Sequence, residues 1–221
     1  MSGTVNDYWR ELTAEEIAAG KHREFVGGLW DEIGALQFDF LRAQGLAPDD
    51  ALLDVGCGAL RGGVHFIRYL AAGRYCGLDV NASLLDAGRR ELGDALLRDK
   101  APHLVVSSEF DFAAFGRRFP YALAVSVFTH LDLNRILLCL ARMREALAPG
   151  GRFFATWFEA PAPACREPQR HAQGIVTYYL NDPYHYAFAE MEAMAALAGM
   201  RVERIGDWGH PRGQRMLCFR A

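Results

Sequence analysis

The chain has 221 residues, 51% of them apolar and 23% charged, which is enough to bury one globular core without disulfides or metals. A formal net charge of -3 removes the general electrostatic pull toward nucleic acid or an anionic membrane. Five scattered cysteines (Cys57, Cys76, Cys139, Cys165 and Cys218) show no CxxC spacing, so no disulfide framework and no metal site is expected, and a cytoplasmic setting fits.

Met1 to Arg10 are polar and carry no apolar signal core, and no stretch approaches about 18 uninterrupted apolar residues. Neither a targeting segment nor a membrane span is expected. From residue 8 to 44, Leu29, Trp30, Ile33, Leu36, Phe38, Phe40 and Leu41 recur mostly three and four apart, which predicts an amphipathic helix stopped by Gly45. Residues 1–48 read as a helical extension and 49–221 as the main domain. After the turn at Pro48-Asp49-Asp50, strands are predicted at 51–55, 75–79, 103–107, 121–127 and 152–157, with helices near 62–71, 83–97 and 132–147. This alternation predicts an α/β fold with a mostly parallel sheet covered on both faces. Residues 159–186 break the pattern: four prolines lie among aromatic residues, as in a substrate-side insertion. Regularity returns with a helix at 187–198, ended by Gly199, and strands at 201–208 and 214–219 joined by a tight turn.

The chemistry concentrates at the predicted strand ends. In Leu52-Leu53-Asp54-Val55-Gly56-Cys57-Gly58, a buried strand runs into glycines just before a helix, where backbone turns sharply and approaches a ligand closely. A dinucleotide loop would read GxGxxG, but Ala59-Leu60-Arg61 follows Gly58 and supplies no third glycine. Asp54 sits poorly beside a pyrophosphate and suits a cationic ligand. Cys57 reads as a small buried residue and not as a nucleophile. Asp79, ending the second predicted strand, is placed to accept hydrogen bonds from both hydroxyls of a ribose, or else to cap the next helix. Glu109 and Phe110 follow the third strand, where an adenine amino group meets an acceptor and an apolar face. Asp111 and Ser108 are adjacent alternatives to Glu109. Val125 to Leu131 follow the fourth strand, at the sheet edge where open α/β sheets bind ligands.

Taken in order, DVGCG, GLD, SVFTHL and the LAPGG at 147–151 resemble the successive motifs of the class I S-adenosylmethionine-dependent methyltransferases. The resemblance runs motif by motif over about residues 50 to 160, and more loosely to the C-terminus. It implies a Rossmann-like three-layer sandwich whose mostly parallel seven-stranded sheet ends in an antiparallel hairpin strand. It also implies S-adenosyl-L-methionine as cofactor and a small molecule as methyl acceptor, at oxygen or nitrogen. Carried across, Asp54, Gly56, Cys57 and Gly58 form the loop for the methionine part, Asp79 binds ribose, Glu109 and Phe110 bind adenine, and Ser126 lies beneath the cofactor. Two departures stand out: Leu60 replaces a third glycine, and Pro120 stands where an aspartate often precedes strand four.

For removing a proton from the acceptor, His130 is the first candidate, with His185 and Glu159 next. The bland role for His130 is capping or packing, and His130 with Asp132 lacks a third ligand for a metal. Trp157, Phe158, Tyr178, Tyr179, Tyr184 and Tyr186 read as core or as the wall of a small-molecule pocket. Two other functions compete. One is a nicotinamide-dependent oxidoreductase, which the missing glycine and the absence of a Tyr-Lys pair disfavour. The other is a protein that binds S-adenosylmethionine without catalysis.

Overall fold

The computed structural model describes residues 9–221, so the polar N-terminal stretch and the start of the predicted first helix lie largely outside the described residues. The single helix expected over 8–44 is instead three: α1 (Ala14–Ala18), α2 (His22–Phe25) and α3 (Trp30–Ala43). The breaks are conformational. Gly27 and Gly28 have φ of 92° and 64°, and Leu29 follows at 48°, a run of left-handed backbone that no α-helix passes through. Thr13 starts α1 with a capping box, its hydroxyl accepting from Glu16 N while the Glu16 carboxylate accepts from Thr13 N. Gly45 stops α3 as expected, with Gly45 N bonded to Arg42 O and Leu46 N to Leu41 O, a Schellman arrangement.

The strands form a seven-stranded sheet in the order β3-β2-β1-β4-β5-β9-β8, the mostly parallel, Rossmann-like fold that was expected. The chain divides into two compact units, Met1–Ser108 and Glu109–Ala221. In the first, β1 (Leu52–Val55), β2 (Tyr75–Asp79) and β3 (His103–Val106) pair in parallel and alternate with α4 (Gly63–Tyr69) and α5 (Ala82–Lys100). Every residue of β1 and β2 is buried, which explains their mostly apolar sequences and makes Asp54 conspicuous among them. The N-terminal helices share this unit's core. Leu12 packs with Ala59, Leu84 and Ala87, with Phe25, Val26 and Trp30 against them. Leu12 N also bonds Ser83 Oγ at 2.8 Å, and Arg23 holds Glu91 through two bonds of 2.8 and 2.7 Å.

In the second unit, β4 (Phe119–Ala124) pairs in parallel with β5 (Leu147–Trp157). Next along the chain are β6 (Gln169–Arg170) and β7 (Val176–Thr177), then α7 (Phe188–Leu197), β8 (Arg201–Asp207) and β9 (Arg215–Arg220). Helix α6 (Leu133–Ala146) joins β4 to β5, and β9 runs antiparallel to both β5 and β8. Two strands differ from expectation by more than one residue at an end. Strand β4 ends at Ala124 and not at 127, because Ser126 takes φ 60° and Phe128–His130 coil into a 3₁₀ turn. Strand β5 starts at Leu147, and Pro120 lies inside β4 where the register shifts between Phe119 and Tyr121. Residues 159–186 hold more paired structure than their composition suggests: β6 and β7 form a small antiparallel sheet, and bridges join Glu159 to Tyr186 and Tyr178 to Tyr184.

The absent third glycine has a structural counterpart. Leu60 keeps the left-handed backbone at φ 65°, and its fully buried side chain is housed by two glycines elsewhere. A Cβ at Gly88 would lie 2.6 Å from Leu60 Cγ, and one at Gly63 would lie 2.9 Å from Leu60 Cβ. We expect Gly88→Ala to cost about 1–3 kcal/mol by overpacking. Adding Leu60→Ala should make the two losses less than additive by about 0.5 kcal/mol or more. Urea melts of the two single variants and the double variant measure this, and strictly additive losses would contradict it.

Candidate functional site

In the first unit the loop after β1 is fixed by strand β2. Gly56 N and Cys57 N both donate to Leu78 O, at 2.7 and 3.1 Å, while Gly56 and Gly58 take φ of 66° and 53°. The Asp79 carboxylate ties this loop to α5: Oδ2 accepts from Gly58 N at 2.8 Å and Oδ1 from Asn81 N at 2.9 Å. Asp79 is therefore not the helix cap. Asn81 is, with its Oδ1 accepting from Ser83 N and Leu84 N. Burial raises the Asp79 carboxyl above its ordinary range, while the backbone donors of Asn81 and Gly58 pull it back.

Asp54 is more extreme. It is 4% exposed, and Oδ2 accepts a hydrogen bond from Tyr75 at 2.6 Å. Desolvation raises its pKa to about 7; the Tyr75 hydrogen bond opposes this, the Asp79 charge adds to it, and Arg61 lowers it slightly. Cys57 is buried and its thiol is pushed well up, as befits an inert packing residue. The buried Arg61 guanidinium donates to Val26 O and Gly28 O, each at 3.0 Å, and so braces the N-terminal segment beside this loop. Tyr75, Arg61 and Asn81 escaped the sequence reading. Tyr75 had a legible signal: it lies two residues before Gly77, the β-partner of Asp54, and so on the same face. Two desolvated carboxyls, a phenol and glycine backbone form a donor set for a ligand bearing positive charge and hydroxyls, and a hostile one for a pyrophosphate.

In the second unit, Ser126 holds φ 60° because its N–H donates to Thr156 Oγ1 at 2.7 Å. Its hydroxyl bonds the Gln214 side chain, which also accepts from Thr156 Oγ1 at 2.6 Å. Phe110 is buried at φ 54° beneath Arg135, whereas Glu109 is exposed and paired with that same arginine at 3.2 Å. His130 Nδ1 lies 2.6 Å from Asp182 Oδ1. His185 is fully buried and engaged at both nitrogens, Nδ1 by Thr177 Oγ1 at 2.7 Å and Nε2 by Cys165 O at 2.6 Å. Glu159 is paired with Arg204 at 2.7 Å. Ser126 and His130 thus share one turn after β4, while His185 and Glu159 are each held by partners of their own. Thr156, Gln214 and Asp182 were not singled out in the sequence, because their partners lie 30, 88 and 52 residues away. Among the described residues there is no group of three metal-ligating side chains, and no helix is long and apolar enough to cross a membrane.

Residues 53–153 match a family model described as a methyltransferase domain. A curated relative, "Probable methyltransferase ltbC" of Aspergillus luteorubrus, is 30% identical over 108 residues, 46% of this chain; the chain spans only 38% of that relative's length. Among solved structures, the CcbJ methyltransferase of Streptomyces caelestis is 19% identical, with 85% of this chain and 89% of that one covered and a TM-score of 0.63. CalS10 of Micromonospora echinaspora, an amino pentose methyltransferase solved with S-adenosylmethionine, is 20% identical, with 96% and 99% covered and a TM-score of 0.62. At such identities the structural likeness establishes a shared fold.

The raised carboxyl of Asp54 sets a pH dependence of stability. An acid whose folded pKa of about 7 exceeds its unfolded value near 3.8 binds more protons when folded, so stability falls as pH rises between those values and levels above about 7. Asp79, raised in the same direction, adds to the fall. Asp54→Asn keeps the shape and removes the ionisation. It should raise the melting temperature of the ligand-free protein near pH 8 and flatten its decline from about pH 5 upward. A variant less stable than the wild type at every pH would show that the carboxylate is not a burden on the fold.

Proposed function

We propose that this chain, which carries a methyltransferase domain at residues 53–153 within a class I methyltransferase fold, moves a methyl group from S-adenosyl-L-methionine to an oxygen or nitrogen of a small-molecule acceptor. The observation that carries this reading is the pair of buried carboxyls, Asp54 and Asp79, on adjacent parallel strands. A nicotinamide dinucleotide would bring phosphate charge to that place. The proposed cofactor brings an ammonium, a sulfonium and a ribose diol instead. When bound, it supplies a methyl group made electrophilic by the sulfonium charge.

The chain's own residues then have three tasks. Asp54, with the loop of Gly56, Cys57 and Gly58, takes the cationic methionine end, and Asp79 takes ribose hydroxyls with lone pairs beyond those given to Gly58 N and Asn81 N. In the second unit, Ser126 is held after β4 by Thr156 and Gln214. His130 removes the proton of the acceptor O–H or N–H. Alignment and exclusion of water do the rest. His185 is engaged at both ring nitrogens and Glu159 is paired with Arg204, whereas His130 stands on the turn after β4, and its position there is why it is the base proposed. The slightly negative net charge of -3 and the aromatic 178–186 segment suit a small acceptor better than a polyanion.

Calorimetry with S-adenosylmethionine, S-adenosylhomocysteine and NADH tests the cofactor assignment. Asp79→Asn should weaken S-adenosylmethionine by about 1.5–3 kcal/mol in a folded variant. Tight NADH binding with no response to S-adenosylmethionine would overturn the reading. Release of S-adenosylhomocysteine on incubation with amino sugars, phenols and carboxylic acids separates an enzyme from a mere binder. With an acceptor in hand, His130→Gln should lower turnover by roughly 10²–10⁴-fold while cofactor affinity stays unchanged.

A further inference from the structure

We propose that Asp182 is a positioning residue for His130: its carboxylate holds the imidazole proton on Nδ1 and so leaves the ring's basic lone pair on Nε2. The inference rests on the reading of His130 as the acceptor's base. The geometry that carries it is a contact of 2.6 Å between Asp182 Oδ1 and His130 Nδ1. An ionised carboxylate only accepts hydrogen bonds, so the nitrogen it touches carries the hydrogen. In a neutral imidazole the other nitrogen is then the proton acceptor.

The pair is not a chance meeting of surface charges. Both side chains are sheltered, at 24% and 20% exposure, and the contact is the middle one of three between the same two segments. Tyr184 N donates to Thr129 O at 2.7 Å, and the Tyr186 hydroxyl donates to Leu131 O at 2.8 Å. Residues 129, 130 and 131 are thus each held by the 182–186 stretch, which fixes where the Asp182 carboxylate stands relative to the ring. His185 shows the contrast. Its Nε2 faces a carbonyl, which can only accept, so its hydrogen sits on Nε2 and its lone pair on Nδ1 takes the Thr177 hydroxyl. One substrate-side segment therefore sets two histidines in opposite tautomers, one by a carbonyl and one by a carboxylate. Only the carboxylate also stabilises the ring once it has gained a proton.

A plain structural latch would look similar in a stability assay, so the test reads the tautomer. Protein labelled with nitrogen-15 histidine is examined by ring-nitrogen NMR at about pH 8.5, well above the ordinary histidine pKa. His130 is assigned from the signals lost in His130→Gln. The wild type should show the hydrogen on His130 Nδ1. Asp182→Ala should move the population toward the Nε2–H form, and Asp182→Glu should restore part of the original signal. Should the alanine variant fail to fold, the similarly sized Asp182→Leu, which offers Nδ1 no polar partner, takes its place and should shift the same way. A wild-type hydrogen on Nε2 would overturn the proposal. So would a tautomer unchanged in the variants while only the melting temperature falls. S-adenosylmethionine calorimetry on the same samples reports separately on the cofactor reading, so either can fail alone.

Discussion

The first unit is organised around a carboxyl group that has been taken out of water. Asp54 stands in a four-residue strand whose every residue is buried, and a phenol is the hydrogen-bond partner that reaches it. An isolated charge in such a place costs several kcal/mol unless it is neutralised, which is why its pKa climbs to about 7. A fold that merely needed a strand would carry valine or isoleucine there. The surroundings also keep solvent away. Tyr75 closes one side, the Gly56–Gly58 loop hangs from Leu78 O, and Arg61 draws residues 26–28 onto the same region. The strain at Leu60 and the glycines that house its side chain belong to the same construction, since they let the loop keep its path without the third glycine.

The second unit meets a different constraint. After β4 the chain must turn abruptly at the sheet edge, and Ser126 does so in a left-handed conformation that a serine adopts only when held. Thr156 and Gln214 hold it, one from β5 and one from just before β9. The turn that follows carries His130, and the aromatic segment ending at Tyr186 grips it through backbone and side-chain contacts. Under the proposed base role, this grip gives His130 the fixed placement that proton removal from an aligned acceptor needs.

Much of this was legible in the sequence, and the exceptions share a cause. Strand positions followed from apolar runs, because parallel strands buried on both faces leave no room for polar residues. Asp54 and Asp79 were legible because acids inside such runs have no packing reason to exist. The long N-terminal helix was misread because a 3.6-residue periodicity survives on both sides of Gly27 and Gly28, while the backbone between them does not follow it. The end of strand β4 was placed three residues too far along because Val125 and Val127 are apolar, although Ser126 between them turns the chain. Arg61, Thr156, Gln214 and Asp182 act through partners far along the chain, and no local pattern announces such contacts. Composition marked 159–186 as irregular. It gave no sign of the histidine–threonine–histidine chain through His171, Thr177 and His185 that ties part of that segment together.

We propose that the buried Asp54 carboxyl awaits a cation. Titration calorimetry of S-adenosylmethionine, run at about pH 6 and about pH 8.5 in buffers of different ionisation enthalpy, tests it most directly. At the lower pH Asp54 is mostly protonated in the ligand-free protein, so binding should release nearly one proton and be about tenfold weaker. At the higher pH the release should vanish, and Asp54→Asn should bind weakly with no release at either pH. Equal affinity and no proton release at both values in the wild type would contradict the claim.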